Sequence, residues 1–327
     1  MKDCFPLDCQ NDVASIVEEK IRNLYQQSPG HTLYRVGDYI VTEEAYAREH
    51  IILLNQAKSH ALSIWSQLKE YPDTDHKFQV SEITTMGMNE LPLQSAMARD
   101  RSIEKAIDEQ YWNEMSSLES KNEAEFSAFW NERAVSKIQI YTEGLKYIED
   151  TKLREQLADL LSAYVQKELF PDLISKARTQ GLVLSKKTRK QMQKLENVLS
   201  AGRLDISNLI TTIEKFGKKQ GIPTLEMASL MQTKNLFVSE MVRKIQKKQT
   251  DGPLLFLTLI IVLLAKQQQG IGVVYATGKY APKLLKQLKS ALSVERYDEL
   301  EAWKERAKTG TLTSEDKDRM KRLAIEL

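Results

Sequence analysis

The chain is poor in residues that interrupt or crosslink a backbone. Its 327 residues include only 13 glycines, 8 prolines and 2 cysteines. Average usage is about 7% glycine and about 5% proline, so long helices can run through most of this sequence. Leu, Lys and Glu are its three most frequent residues, Ala and Gln are also common, and all five favour helix. The composition therefore predicts an all-α protein.

The two cysteines lie close together near the N-terminus, at Cys4 and Cys9. A structural zinc site needs four ligands, so this pair predicts none by itself. A chain of this size does not need a disulfide, and we expect both thiols to be reduced, with a small disulfide loop as the alternative. Residues 1–20 lack a basic segment followed by an apolar one, so we expect no Sec signal. A soluble protein in the cytoplasm, or one exported by another route, is expected.

Catalytic motifs are also missing. The sequence contains no GxxxxGK[ST], GxSxG, HExxH or GxGxxG pattern, which removes support for phosphate-cradling loops and nucleophile elbows. His50 and His60 are ten residues apart on one predicted helix, too far for a shared metal. The loop 73–76 ends in His76 and lacks the glycine and terminal glutamate of a calcium loop. The sequence predicts no enzyme activity, no metal and no cofactor.

Charge is unevenly distributed along the chain. Residues 1–150 hold 15 Lys and Arg against 26 Asp and Glu, whereas residues 151–290 hold 24 against 10. Residues 291–327 are nearly balanced, with 8 against 9, so the total is only +2. This sorting indicates either a basic surface for an anionic partner or two halves that neutralise each other.

A long apolar stripe at helical spacing begins after residue 101. Its members recur mostly every three or four residues: Ile103, Ile107, Tyr111, Met115, Leu118, Phe126, Trp130, Ala134, Ile138, Tyr141, Leu145 and Ile148. The 45 residues from first to last make 12 steps, about 3.75 residues each, which is close to the period of an α-helix. Glutamates lie between the apolar positions, so a docked basic half is one explanation of the charges.

The remaining pattern completes the predicted fold. We expect an elongated bundle of long antiparallel helices, a C-terminal helical hairpin and one minor β-hairpin near 33–41. Residues 72–100 read as an irregular connector, and a helix near 152–170 is expected to stop before Pro171. The predicted divisions are 1–100, 101–250 and 251–327.

One uncharged apolar segment stands out, from Pro253 to Ala265. As a helix it would be about 20 Å long, and the hydrocarbon core of a bilayer is about 30 Å thick. A buried core helix is therefore one interpretation, and membrane insertion after a rearrangement is the other. The insertion candidates are Leu254, Leu255, Phe256, Leu257, Leu259, Ile260, Ile261, Val262, Leu263 and Leu264.

Basic residues surround this segment and form a second cluster at 186–219. The anion-binding candidates are Lys186, Lys187, Arg189, Lys190, Lys194, Lys218, Lys219, Arg243, Lys244, Lys247, Lys248, Lys283 and Lys286. Such residues suit anionic lipids, at about 1 kcal/mol per charge, or nucleic-acid phosphates. A solvated helix face, or one docked on the acidic half, explains the cluster without any ligand.

Two function hypotheses remain open. The first is a non-enzymatic protein that engages an anionic lipid membrane through its basic C-terminal half, by a pore-forming or translocator-like mechanism, with the acidic long helix as body or oligomer contact. The second is a helical assembly or scaffold protein that binds protein or nucleic acid through 186–219, with 253–265 as buried core. A protein partner or self-association is expected in both.

Overall fold

A computed structural model of the chain describes residues 9–26, 32–72, 74, 76–84, 92–248 and 251–326. The chain forms two compact units, Met1–Asn122 and Glu123–Leu327. Helices make up most of the described residues, so the all-α prediction is confirmed. Cys4 and His31 lie outside the described residues, and Cys9 is an exposed free cysteine.

The first unit combines helices with one small hairpin. Its elements are α1 (Gln10–Gln26), β1 (Leu33–Val36), β2 (Tyr39–Thr42), α2 (Glu43–Glu70), α3 (Ser81–Thr84), α4 (Pro92–Met97) and the first part of α5 (Arg101–Trp130). β1 and β2 pair antiparallel around Gly37, whose φ of +57° suits glycine, and this confirms the predicted hairpin. The segment 72–100, predicted to be irregular, contains the short helices α3 and α4.

Two features fix α2 in the first unit. Its N-cap is Thr42, whose hydroxyl accepts a hydrogen bond from the Ala45 amide at 3.2 Å. Its inner face places Leu53, Ala57 and Ala61 in a core that also contains Ile107 and Tyr111 of α5. This core therefore joins the long N-terminal helix to the start of the predicted apolar stripe.

The apolar stripe forms an almost continuous helix. α5 runs into a π-helical turn, Asn131–Val135, and then into α6 (Ser136–Lys146). Ten of the twelve stripe residues are buried, and Met115 and Leu118 are half-buried. A π turn takes up more residues than an α turn, which accounts for part of the excess of the stripe's period over 3.6.

The predicted helix end before Pro171 is wrong. The chain continues from α7 (Thr151–Tyr164) through a second π turn, Val165–Leu169, into α8 (Phe170–Thr179). Proline breaks an α-helix because it lacks an amide proton and collides with the preceding turn. Here the Phe170 amide bonds the Val165 carbonyl, five residues back, so the widened turn admits Pro171 without ending the helix.

The second unit is completed by seven further helices. They are α9 (Lys186–Ser200), α10 (Ile206–Gln220), α11 (Met227–Lys248), α12 (Gly252–Gln267), α13 (Ala281–Gln287), α14 (Val294–Thr309) and α15 (Ser314–Glu326). α13 ends five residues earlier than the predicted helix 281–292, and the following residues form turns up to Ser293, the N-cap of α14. α14 and α15 form the predicted C-terminal hairpin, with Gly310 in the left-handed region at its turn.

α12 lies at the centre of the second unit. It packs against α11, α13, α14 and α15, and its residues from Leu255 to Ala265 are buried apart from Thr258. A helix that is apolar on every side must be covered on every side, because any uncovered face would leave hydrocarbon in water. The arrangement of the four surrounding helices follows from this requirement.

Two glycines allow backbone segments to touch beside α12. The Val273 amide donates a hydrogen bond to the Ile140 carbonyl of α6 at 3.0 Å. A Cβ on Gly144 would lie 2.2 Å from the Val273 carbonyl oxygen, and one on Gly272 would lie 2.7 Å from the Gly144 nitrogen. Only glycine permits this approach, so the extended segment after α12 is held directly against a helix backbone.

Replacing Gly144 by alanine should therefore destabilise the second unit. We expect a loss of about 1–3 kcal/mol in the free energy of unfolding, because the new methyl group collides with backbone atoms that cannot rotate away. Gly217→Ala is the matched control, since it also removes a helix-interior glycine and its Cβ would meet no heavy atom closer than 4.0 Å. That control should gain about 0.5–1 kcal/mol. Urea denaturation measures both, and equal midpoints would contradict the assignment.

A buried carboxylate joins α14 to α15. Asp316 accepts hydrogen bonds from the Trp303 indole at 3.2 Å, the Arg306 guanidinium at 2.6 Å and the Thr313 amide at 3.0 Å. The Asp316 amide in turn bonds the Thr313 hydroxyl at 3.1 Å, which confirms the N-cap predicted at residues 312–316. Burial alone would raise the pKa of Asp316, but the bonds from Thr313 and the Arg306 charge hold it below its ordinary value.

Acid should release this stabilisation. Because the folded pKa is lowered, the contribution of Asp316 is present above the ordinary value of 3.8 and is lost as the pH falls through the folded pKa. At pH 7, Asp316→Asn should cost about 1–3 kcal/mol, and the difference from wild type should shrink below pH 4. Asp318→Asn, which alters an exposed ion pair on the same helix, should change stability by less than about 0.5 kcal/mol. Urea titrations between pH 2.5 and 7 test this, and a pH-independent difference would contradict it.

Candidate anion-binding surface

The basic cluster predicted at 186–219 lies on an antiparallel pair of helices, α9 and α10. α9 turns Thr188, Met192 and Leu195 inward, at spacings of four and three. α10 contributes Leu209, Ile213 and Phe216 at the same spacings, and the two faces belong to one core. Because the inner faces are apolar, the lysines between them must point to solvent.

Local hydrogen bonds fix how the two helices are aligned. The Ser185 side chain caps α9 by accepting a hydrogen bond from the Thr188 backbone amide at 3.1 Å. The Asp205 side chain caps α10 by accepting one from the Asn208 backbone amide at 2.8 Å. The Thr188 hydroxyl donates to the Gln220 side chain at 3.0 Å, so the start of α9 meets the end of α10.

This alignment gathers the predicted basic residues at one end of the pair. Lys186, Lys187 and Lys190 are exposed in the first turns of α9, and Lys218 and Lys219 are exposed in the last turn of α10. Lysines at a helix C-terminus are favoured by the helix dipole, whereas those at the N-terminus of α9 oppose it. The first turn of α9 contains no acidic residue that would offset them. The sequence concentrates positive charge here at a cost to local stability.

Most of these cations are not neutralised by the rest of the described chain. Residues 186–220 hold nine Lys and Arg against three Asp and Glu, a net charge of +6. Glu196 is already paired with Arg178 at 2.7 Å, and Asp205 caps its helix. The lysines that form no ion pair with a described residue are Lys187, Lys190, Lys194, Lys215, Lys218 and Lys219.

A shallow groove of about 210 Å³ runs between the outer faces of α9 and α10. Lys194, Lys215 and Lys219 line it, together with Gln191 and Val198, whose side chain is 43% exposed. Lys215 belongs to the predicted basic cluster 186–219, and its spacing of four from Lys219 places the two on one helix face. The groove therefore places three amino groups around one shallow surface.

The other predicted basic residues are scattered over the second unit. Arg243 and Lys244 are exposed on α11, and Lys286 is exposed on α13. Lys283 is exposed and donates a hydrogen bond to Gln156 at 3.1 Å. The side chains of Lys247 and Lys248 lie outside the described residues. The groove lysines are therefore the best-defined part of the predicted set.

The predicted membrane-insertion residues belong to the core. All of them are at most 8% exposed except Leu254, which is 46% exposed at the start of α12. The hydroxyl of Thr258, the polar residue inside the run, donates to the Leu254 carbonyl at 2.8 Å. Among the described helices, none combines the length and the hydrophobicity needed to cross a bilayer.

Two lysines, Lys234 and Lys266, anchor α12. Lys234 is buried and donates to the carbonyls of Gln268 and Gly270 at 2.8 and 2.5 Å, just after α12 ends. Its burial lowers the pKa of the ammonium group. Lys266 donates to the Ala324 carbonyl at the end of α15 at 2.9 Å. Both charges satisfy carbonyls near helix ends, which a sequence pattern does not reveal.

A larger cavity of about 760 Å³ lies beside the turn between α9 and α10. Two of its three cations are already engaged, because Arg203 pairs with Asp159 at 2.8 Å and Lys279 lies over the Tyr280 ring at 4.9 Å, and the third is the exposed Lys167. The Gln166 side chain donates to the Gly202 carbonyl at 2.9 Å and accepts from the Leu204 backbone amide. It therefore stabilises the backbone of the turn between α9 and α10. This cavity has less free positive charge than the groove.

Comparison with known proteins adds no assignment. No protein-family model matches the chain, and no curated protein matches it. Its function must therefore be argued from the residues.

Proposed function

We propose that this chain is a non-enzymatic helical binding protein whose α9–α10 surface holds the phosphate backbone of a nucleic acid. The observation that carries the proposal is the set of six exposed lysines on one helix pair that form no ion pair with a described residue. In this proposal α12 is a structural core, and the surface acts without opening it.

The chemistry of the surface favours phosphate over bases. Phe216 is the one aromatic residue in 186–220, and it is 5% exposed, so the helix pair has no aromatic platform on which a base could stack. Lysine acts as a compact point charge that binds phosphate without a fixed bidentate geometry. Binding should therefore be independent of sequence and strongly dependent on salt.

The first test is charge reversal at two residues that line the groove. Lys194→Glu combined with Lys215→Glu should lower affinity for a labelled DNA or RNA duplex by at least tenfold, because two phosphate contacts become repulsive. For duplex DNA the slope of log K against log salt should fall by about 2, at about 0.9 per phosphate contact. Fluorescence anisotropy across a salt series measures both quantities.

The matched control changes the net charge by the same amount elsewhere. Lys152 and Lys308 are exposed on α7 and α14, and reversing both should leave the duplex affinity within about threefold of wild type, since screened charges act mainly within about 10 Å. Equal losses in the two double variants would mean that net charge, not the α9–α10 surface, governs binding, and would overturn the proposal.

A second candidate function is engagement of an anionic lipid membrane. It is supported by the uncharged length of α12, by the exposed Leu254 at its start and by the exposed cations Arg243, Lys244, Lys283 and Lys286 on neighbouring helices. In this proposal the surface cations capture the membrane and α12 leaves the core to insert. Insertion requires the bonds of Lys234 and Lys266 to break.

Vesicle flotation separates the two candidates. If α12 inserts, binding to anionic vesicles should resist high salt, because the transfer of apolar side chains into lipid is not screened. Hydrogen exchange should then show changed protection of the amides of residues 254–265 when vesicles are added. Binding that disappears entirely at high salt, with unchanged protection of α12, would contradict insertion and leave only a basic surface. Neutral vesicles serve as the control for non-specific adsorption.

A further inference from the structure

Three metal-ligating side chains converge in the first unit, away from the basic surface. His60 lies on α2 and is 9% exposed, His76 lies in the loop after α2, and Glu82 lies in the one-turn helix α3. Their ligand atoms are all within 4.8 Å of one another. His60 and His76 are 16 residues apart across the end of a helix, so sequence spacing gave no signal and predicted no metal site.

The loop that brings them together is held by packing. Phe78 stacks on Tyr111 of α5 with ring centroids 3.8 Å apart and planes at 5°. Ile83 is 1% exposed in the same core. The backbone amide of Gln79 donates a hydrogen bond to Glu82 Oε1 at 2.9 Å. This bond orients the carboxylate so that Oε2 faces the two imidazoles. Oriented carboxylates and an apolar wall are typical surroundings of protein metal sites.

The distances are close to those of a metal coordination sphere. His60 Nε2 lies 2.9 Å and His76 Nε2 lies 3.4 Å from Glu82 Oε2. Around a tetrahedral zinc ion with bonds of about 2.0–2.2 Å, neighbouring ligand atoms are about 3.3–3.5 Å apart. Small side-chain rotations would therefore place all three atoms at bonding distance from one ion.

Hydrogen bonding alone leaves this cluster incomplete. Nε2 of His60 bonds Glu82 Oε2, but Nε2 of His76 is buried and has no hydrogen-bond partner among the described residues, although it faces the same oxygen. Buried polar atoms without a partner are uncommon and call for an explanation. A cation between the two rings and the carboxylate would give every facing atom a partner.

We propose that His60, His76 and Glu82 bind a divalent transition-metal ion, with Zn²⁺ as the best fit. Two imidazole nitrogens favour zinc and related ions and disfavour Mg²⁺ and Ca²⁺, which prefer oxygen ligands. Three protein ligands leave a fourth position open to water or to another ligand. The ion would tie α2 to α3 and to the loop between them. This site is independent of the function proposed for the second unit.

Metal titration of the purified, untagged full chain tests the site. Cys4 and Cys9 are replaced by serine so that thiolates do not compete. We expect one Co²⁺ per chain, seen by visible absorption and displaced by Zn²⁺, and an increase in the thermal unfolding temperature with Zn²⁺. H60Q and H76Q should each lower the affinity at least tenfold and abolish the zinc-dependent increase, with the helical circular dichroism unchanged.

His50 provides the matched control. It lies on the same helix, its Nε2 is also buried without a hydrogen-bond partner in the described part of the chain, and it does not belong to the cluster. H50Q should keep the wild-type affinity for Co²⁺ and Zn²⁺. The proposal is overturned if the H60Q/H76Q double variant binds either metal as tightly as the wild type, or if the wild type binds neither. Because His76 lies in a loop, H76Q remains informative even if H60Q fails to fold.

Discussion

The burial of α12 is the constraint on which the second unit depends. Its segment from Leu254 to Ala265 contains no charge, and each fully buried aliphatic or aromatic side chain contributes about 1.5–3 kcal/mol relative to exposure. A helix satisfies its own interior backbone groups, so its apolar surface can be covered on all sides without leaving amides or carbonyls unpaired. α11, α13, α14 and α15 provide that cover. The carbonyl groups near the helix ends still need hydrogen-bond donors. The ammonium groups of Lys234 and Lys266 donate to several of them.

The lysines of this unit consequently divide into two groups with different chemistry. Lys234 and Lys266 reach carbonyl groups near the ends of α12 and α15, where their charges complement the negative ends of the helices. On α9 and α10, six lysines form no ion pair with a described residue, namely Lys187, Lys190, Lys194, Lys215, Lys218 and Lys219, and the buried faces of these helices are mostly apolar. A charge without a structural partner costs self-repulsion in the folded state. Its concentration on one helix pair is the physical reason to assign that surface to a ligand.

Helices and hairpins were easier to predict from the sequence than departures from the usual helix rules or tertiary contacts between side chains. The all-α class, the hairpin at Gly37, the C-terminal hairpin and the cap at Thr313 follow local rules of periodicity and hydrogen bonding, and so could be read from the sequence. Pro171 was misjudged because a π turn, which depends on tertiary packing, relieves the clash that normally ends a helix. The basic cluster was predicted from its spacing. The partnership of His60 with His76 was missed, because it depends on how a loop folds back onto α2.

The division of charge gains a physical meaning once the units are known. Residues 1–122 hold 12 Lys and Arg against 20 Asp and Glu, a net of −8, and residues 123–327 hold 35 against 25, a net of +10. A polyanion approaching the chain is therefore repelled by one folded unit and attracted by the other. Such a field selects the face that a polyanion meets first, before any short-range contact forms, and it does so more strongly at low salt. The proposed cation site thus lies in the acidic unit and the proposed anion surface in the basic unit, so the net charge of each unit favours the ligand proposed for it.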